Sequence, residues 1–121
     1  MNPRPRPRGD RGAVTAELAL TLPLLLAVTT GLVWLLAVGA AQVRTVDAAR
    51  EVARAVARGD SESEAVARGA RVAPDGASVT VNRTAGHVEV VVEVEVSGPG
   101  GVLEVLPAVT VRAEAVAAGE E

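Results

Sequence analysis

The sequence predicts an α+β protein built on a long N-terminal transmembrane and stalk helix, followed by a short second helix and a C-terminal three-stranded antiparallel sheet. Three observations predict it. From Leu18 through Val43 there are 26 residues without a charge. Residues 42–58 then repeat apolar side chains at helical spacing, and beyond residue 77 Val alternates with polar residues. Composition narrows the choice further. The 121 residues are 49% apolar but 1% aromatic, and Ala and Val supply 23 residues each. Nine of the 11 Leu lie between Leu18 and Leu36, so the bulkiest aliphatic side chains sit in one segment. The remaining Val/Ala chain is too little material for a self-sufficient enzyme core. One His and no Cys exclude thiol chemistry and disulfides and leave almost no route to a zinc site.

The N-terminal third carries a topology signal. Met1 to Gly12 hold four Arg against one acid, forming a basic leader expected over residues 1–12. At 1.5 Å per residue, an uncharged helix of 26 residues reaches roughly 39 Å, enough to cross a ~30 Å hydrocarbon layer with tilt. A transmembrane helix is therefore expected over 13–43. Residues 44–121 carry eight Arg and 13 acids. By the positive-inside rule the leader stays cytoplasmic and the C-terminal part is exported. The expected location is the cytoplasmic (inner) membrane, single-pass, with an extracytoplasmic C-terminal domain. A secretory signal peptide has an apolar region of only 7–15 residues. Ala37 to Ala41 imitate its cleavage site, but the apolar run is too long and continues into further helix.

Glu17 does not fit an ordinary anchor. It stands one residue before the uncharged run and inside the apolar stretch that opens at Ala13. A carboxylate near hydrocarbon is costly and points to a partner; the plainer reading is an acid in a first helical turn, where the dipole favours it. If the chain is cut after Gly12, Ala13 becomes an N-terminal amine with Glu17 one helical turn on. A neighbouring subunit's amine could then neutralise that carboxylate.

The stretch from Gly12 to about Arg54 resembles the class III signal of type IV pilin-like proteins, and more closely the TadE-like minor pilins, or pseudopilins, of tight-adherence pilus systems. Gly12 matches the residue before the cut, Ala13 the new N-terminus, Glu17 the fifth-position acid and Pro23 the usual proline. Asp47-Ala48-Ala49-Arg50-Glu51-Val52-Ala53-Arg54 is similar to the Ala/Arg-rich helix that follows the span in that family. Leu18 departs from it, since many relatives have Phe or Tyr there. The resemblance implies a pilin-like, non-enzymatic protein that acts by assembly after cleavage by a prepilin peptidase, with methylation of the new amine in some members. It implies as partners the peptidase, other pilin or pseudopilin subunits, the assembly platform and the membrane. The other reading is an uncleaved, membrane-anchored accessory protein that binds an envelope partner.

Pro23 and Gly31 are the candidate helix-packing residues. Pro23 removes a backbone hydrogen bond and kinks helices, a defect tolerated in membrane spans, where Thr21 could help satisfy the freed groups. Gly31 pairs with Ala27 in small-xxx-small spacing, repeated by Ala37 and Ala41, which suits close helix approach and arises readily in so Ala-rich a chain.

An amphipathic stalk helix is expected over 44–58. Val46, Ala49, Ala53 and Val56 form a narrow apolar stripe, with Arg44, Asp47, Glu51, Arg54 and Arg58 on the other side. Residues 59–76 hold a short helix and turn. Gly59 stops the first helix, Ser61 and Glu64 form a capping-box pattern, and Pro74-Asp75-Gly76 supply turn chemistry. Asp60, Glu62 and Glu64 alternate as calcium-loop ligands do. Ala65 and Arg71 then occupy the positions that need Gly and Glu, so acids at a helix N-terminus explain the run better.

A small antiparallel β domain is expected over 77–118, before a tail of 119–121. Val79 and Val81 mark the first strand and Ala85-Gly86 a turn. Val88, Val90, Val92, Val94 and Val96 line one face of the second strand, with Glu89, Glu93 and Glu95 opposite. Gly98-Pro99-Gly100-Gly101 breaks the run before an apolar patch of Val102, Leu103, Val105 and Leu106. The third strand covers Val109 to Val116, with Val109, Val111, Ala113 and Ala115 inward. A meander packed by its Val face on the helices is the expected solution.

The residues offer no catalytic constellation. His87 stands alone beside a turn, and Ser61, Ser63, Ser78 and Ser97 have no Lys or second His to activate them. No cofactor, metal, small-molecule substrate or nucleic acid is expected. The Arg-Pro leader lacks aromatic residues and would be lost on cleavage.

Overall fold

The computed structural model describes residues 3, 9–99 and 107–118. Its elements are α1 (Gly9–Ala57), α2 (Glu62–Val72), β1 (Ser78–Thr84), β2 (His87–Val96) and β3 (Val109–Ala118). This is the expected α+β order of a long apolar helix, a short helix and three strands. By internal contacts the chain divides into units of residues 1–33 and 34–121.

In the first unit α1 is a helix whose apolar side chains find nothing to pack on: Leu20 is 76% exposed, and Leu22, Leu24 and Leu26 are similarly bare. A soluble helix cannot sustain such exposure over many turns, whereas hydrocarbon is a suitable solvent for it. α1 is long and apolar enough to cross a membrane, and none of its most apolar stretch is buried.

The second unit is built from the C-terminal part of α1, then α2 and the sheet. Ala48, Ala49, Val52, Ala53, Ala55 and Val56 of α1 form one core with Ala65 of α2, Val88, Val90 and Val92 of β2, and Ala113 of β3. The buried face of α1 is broader than the predicted stripe. Ala49, Ala53 and Val56 are buried as expected, but so are Thr45, Ala48, Val52 and Ala55, while Val46 is only half-buried. The physical reason is that α1 packs against both the sheet and α2, so two neighbours rather than one cover it. Thr45 is fully buried without penalty because its hydroxyl donates to the Ala41 carbonyl at 2.6 Å.

Gly59 terminates α1 as predicted. It adopts φ 96°, the Asp60 N–H reaches the Ala55 carbonyl at 3.1 Å and the Gly59 N–H reaches the Val56 carbonyl at 3.1 Å. These two hydrogen bonds form the Schellman arrangement that only a left-handed residue permits cheaply. Ser61 then caps α2, its hydroxyl accepting from the Glu64 N–H at 3.3 Å. Asp60 belongs to the same corner. Its Oδ2 lies 3.6 Å from Arg58 and 4.0 Å from Arg68, tying the end of α1 to α2.

The sheet is an antiparallel meander of order β1-β2-β3. Thr84 pairs with His87 around Ala85-Gly86, and Gly86 supplies φ 82° for the tight hairpin. β2 pairs with β3 in the register Val90↔Ala115, Val92↔Ala113 and Val94↔Val111, which stacks the apolar residues of both strands on one face. Val88, Val90, Val92 and Val94 are buried and Val96 is half-buried. The predicted apolar patch at Val102, Leu103, Val105 and Leu106 lies outside the described residues, as does most of the basic leader.

Candidate functional site

The first turns of α1 carry the candidate processing and assembly residues. α1 is described from Gly9, so Gly12, Ala13 and the bond between them lie within the helix. Thr15 donates its hydroxyl to the Arg11 carbonyl at 2.9 Å, across the Gly12–Ala13 bond. Ala13 and Glu17 stand at i and i+4 on one face, about 6 Å apart along the axis. Glu17 is exposed and has no ion-pair partner among the described residues.

Pro23 lies inside α1 without ending it. Its missing N–H leaves the Ala19 carbonyl without the usual donor. Thr21, the neighbour expected to help there, makes no side-chain hydrogen bond among the described residues. Thr29 and Thr30 instead donate to the Leu25 and Leu26 carbonyls at 2.8 Å and 2.7 Å, so a hydroxyl in this apolar segment is satisfied within its own helix. A side chain added at Gly31 would meet nothing within 4 Å, leaving that position open to a neighbouring helix.

The sequence missed Gly69, the position that sets how closely the two helices of the second unit approach. A Cβ there would collide with the Val52 Cγ2 atom and lie 3.4 Å from the Ala48 carbonyl oxygen. The only signal available was a Gly in the middle of an otherwise good helix, unfavourable unless something needs the space.

The other predicted features are spread over the second unit. His87 is exposed at the start of β2, its Nδ1 3.5 Å from the Ala85 carbonyl beside the hairpin. Among the described residues no group of three or more His, Asp or Glu is arranged to hold a metal ion.

A long apolar helix with an acid near its start, followed by a short helix and a small helix-packed sheet, gives an α+β chain with one helix long and apolar enough to cross a membrane. Residues 12–54 match the model of the TadE-like protein family. No curated protein and no solved structure gives a significant match to the chain.

Proposed function

We propose that this chain is a minor pilin or pseudopilin that takes part in assembling or priming a tight-adherence type IV pilus. The observation that carries the reading is a coincidence of position: the TadE-like match opens at residue 12, where a Gly precedes an exposed apolar helix with its acid five residues on. The leader stays in the cytoplasm, a prepilin peptidase cuts between Gly12 and Ala13, and the second unit lies outside the inner membrane. Glu17 then takes the Ala13 amine of a neighbouring subunit as its counter-ion. In a low-dielectric bundle an unpaired carboxylate is far costlier than a paired one, so the pairing fixes the axial register between subunits. The protein does no chemistry on a substrate.

Intact mass of the membrane-extracted protein tests the cut. Loss of residues 1–12 is expected in a peptidase-competent host and not with Gly12→Ala or without the peptidase. A full-length mass for the wild-type chain in that host would favour the anchored accessory protein. Glu17→Gln is expected to be cut normally yet to fail in co-purifying with pilin subunits.

A further inference from the structure

Among the described residues, two surfaces of the second unit have nothing packed on them, and their net charges are opposite even with Asp47 and Glu51 beside the Arg residues of α1. α1 covers the Val face of the sheet, so alternate residues of β2 and β3 point to solvent. That outer face carries Glu89, Glu93, Glu95 and Glu114 against Arg112 as its one formal positive charge, with no ion pair of 4.0 Å or less on it among the described residues. On the far side of α1, turned away from its buried face, Arg50, Arg54 and Arg58 are all exposed. Arg54 touches Glu51 at 3.2 Å and Arg58 touches Asp60 at 3.6 Å, contacts exposed enough to exchange partners easily, and Arg50 has no such partner among the described residues.

The two ladders also agree in pitch. Residues four apart on a helix are separated by about 6 Å along its axis. Residues two apart on a strand are separated by about 6.8 Å. The Glu row of β2 is interrupted at Val91, so Arg54 and Arg58 match Glu93 and Glu95 at one step, while Arg50 falls over Val91 beside its cross-strand neighbour Glu114.

We propose that the acidic outer face of the sheet in one subunit docks on the Arg50-Arg54-Arg58 ridge of a second copy of this chain. The contact joins two different surfaces from opposite sides of the same unit. It is therefore heterologous, and repetition adds further copies instead of closing a twofold dimer. Rim charges of this kind steer encounter and fix register more than they add affinity. The inference rests on the assembly reading above and supplies its partner and geometry outside the membrane.

Because the chain has no Cys, single-cysteine chemistry is clean. Full-length chains carrying Arg54→Cys are mixed in membranes with chains carrying Glu93→Cys and oxidised. A mixed 54–93 dimer should exceed both like-with-like dimers several-fold, and a chain carrying both substitutions should give a ladder of higher oligomers. Adding Arg50→Glu to the first chain should lower the mixed dimer several-fold, with unchanged Trp34 fluorescence showing that the fold is intact. Like-with-like dimers in equal or greater yield, absence of cross-linking, or indifference to Arg50→Glu would each overturn the proposal. Intact mass of the same samples reads processing separately. A processed but uncross-linked chain refutes this docking alone, and an unprocessed chain refutes the pilin pathway.

Discussion

Gly69→Ala provides the sharpest test of the packing. On helix propensity alone the substitution should stabilise α2 by about 1 kcal/mol, since Gly is the poorest interior residue after Pro. The structure predicts the opposite sign. The added methyl meets Cγ2 of Val52, which is fully buried, and approaches the Ala48 backbone oxygen at 3.4 Å. Val52 cannot turn aside, because a β-branched side chain in a helix has one strongly preferred χ1 rotamer. Overpacking of this kind costs about 1–3 kcal/mol, so the net expectation is a loss of about 1 kcal/mol. For a unit of this size that lowers Tm by about 4–8 °C. The assay is thermal and denaturant unfolding of the full chain in mild detergent, followed by circular dichroism and by the fluorescence of Trp34, the single Trp. Val52→Ala removes the obstacle, so the double variant should be more stable than the sum of the singles by about 1 kcal/mol or more. A Gly69→Ala protein that melts higher than wild type, or a strictly additive cycle, would refute the close approach of the two helices.

Two further changes probe the sheet and the cap. Val90→Ala empties a fully buried position on β2 and should cost about 1.5–3 kcal/mol in denaturant melts, whereas Val91→Ala, on the outer face, should cost clearly less. Equal losses would mean that the sheet is covered on both faces. Ser61→Ala removes the acceptor for the Glu64 N–H and should cost about 1 kcal/mol, with Ser61→Asp restoring most of it.

The two kinds of periodicity were easily legible because each is a local property. A Val-Glu-Val alternation over β2 admits one pleated assignment, and a 26-residue uncharged run admits one helical one. Gly59, Ser61 and Gly86 were equally readable, since each satisfies a backbone requirement set by its immediate neighbours. The width of the buried face on α1 was not readable in the same way. Thr45, Ala48, Val52 and Ala55 lie outside the predicted stripe and are buried because a second neighbour covers them.

The candidate site divides along the same line. Gly12, Ala13, Glu17 and Pro23 are close together in the chain, so the proposal made for them rests on a linear pattern and its setting between a basic leader and an apolar run, a stretch that the TadE-like match covers from residue 12. Gly69 and the opposed Arg and Glu surfaces involve residues far apart in the chain, which acquire their meaning only when β2, α1 and α2 are brought together.

The sequence by itself determined the membrane-length helix, its turn-ending residues and the strand alternation, because hydrophobic period and backbone conformational preference act over a few residues. Only the tertiary structure decided which side of α1 is covered, why α2 needs a glycine at 69, and which charges remain unpaired at the surface. Those depend on excluded volume and solvent exclusion between segments that contact one another only after the chain has folded.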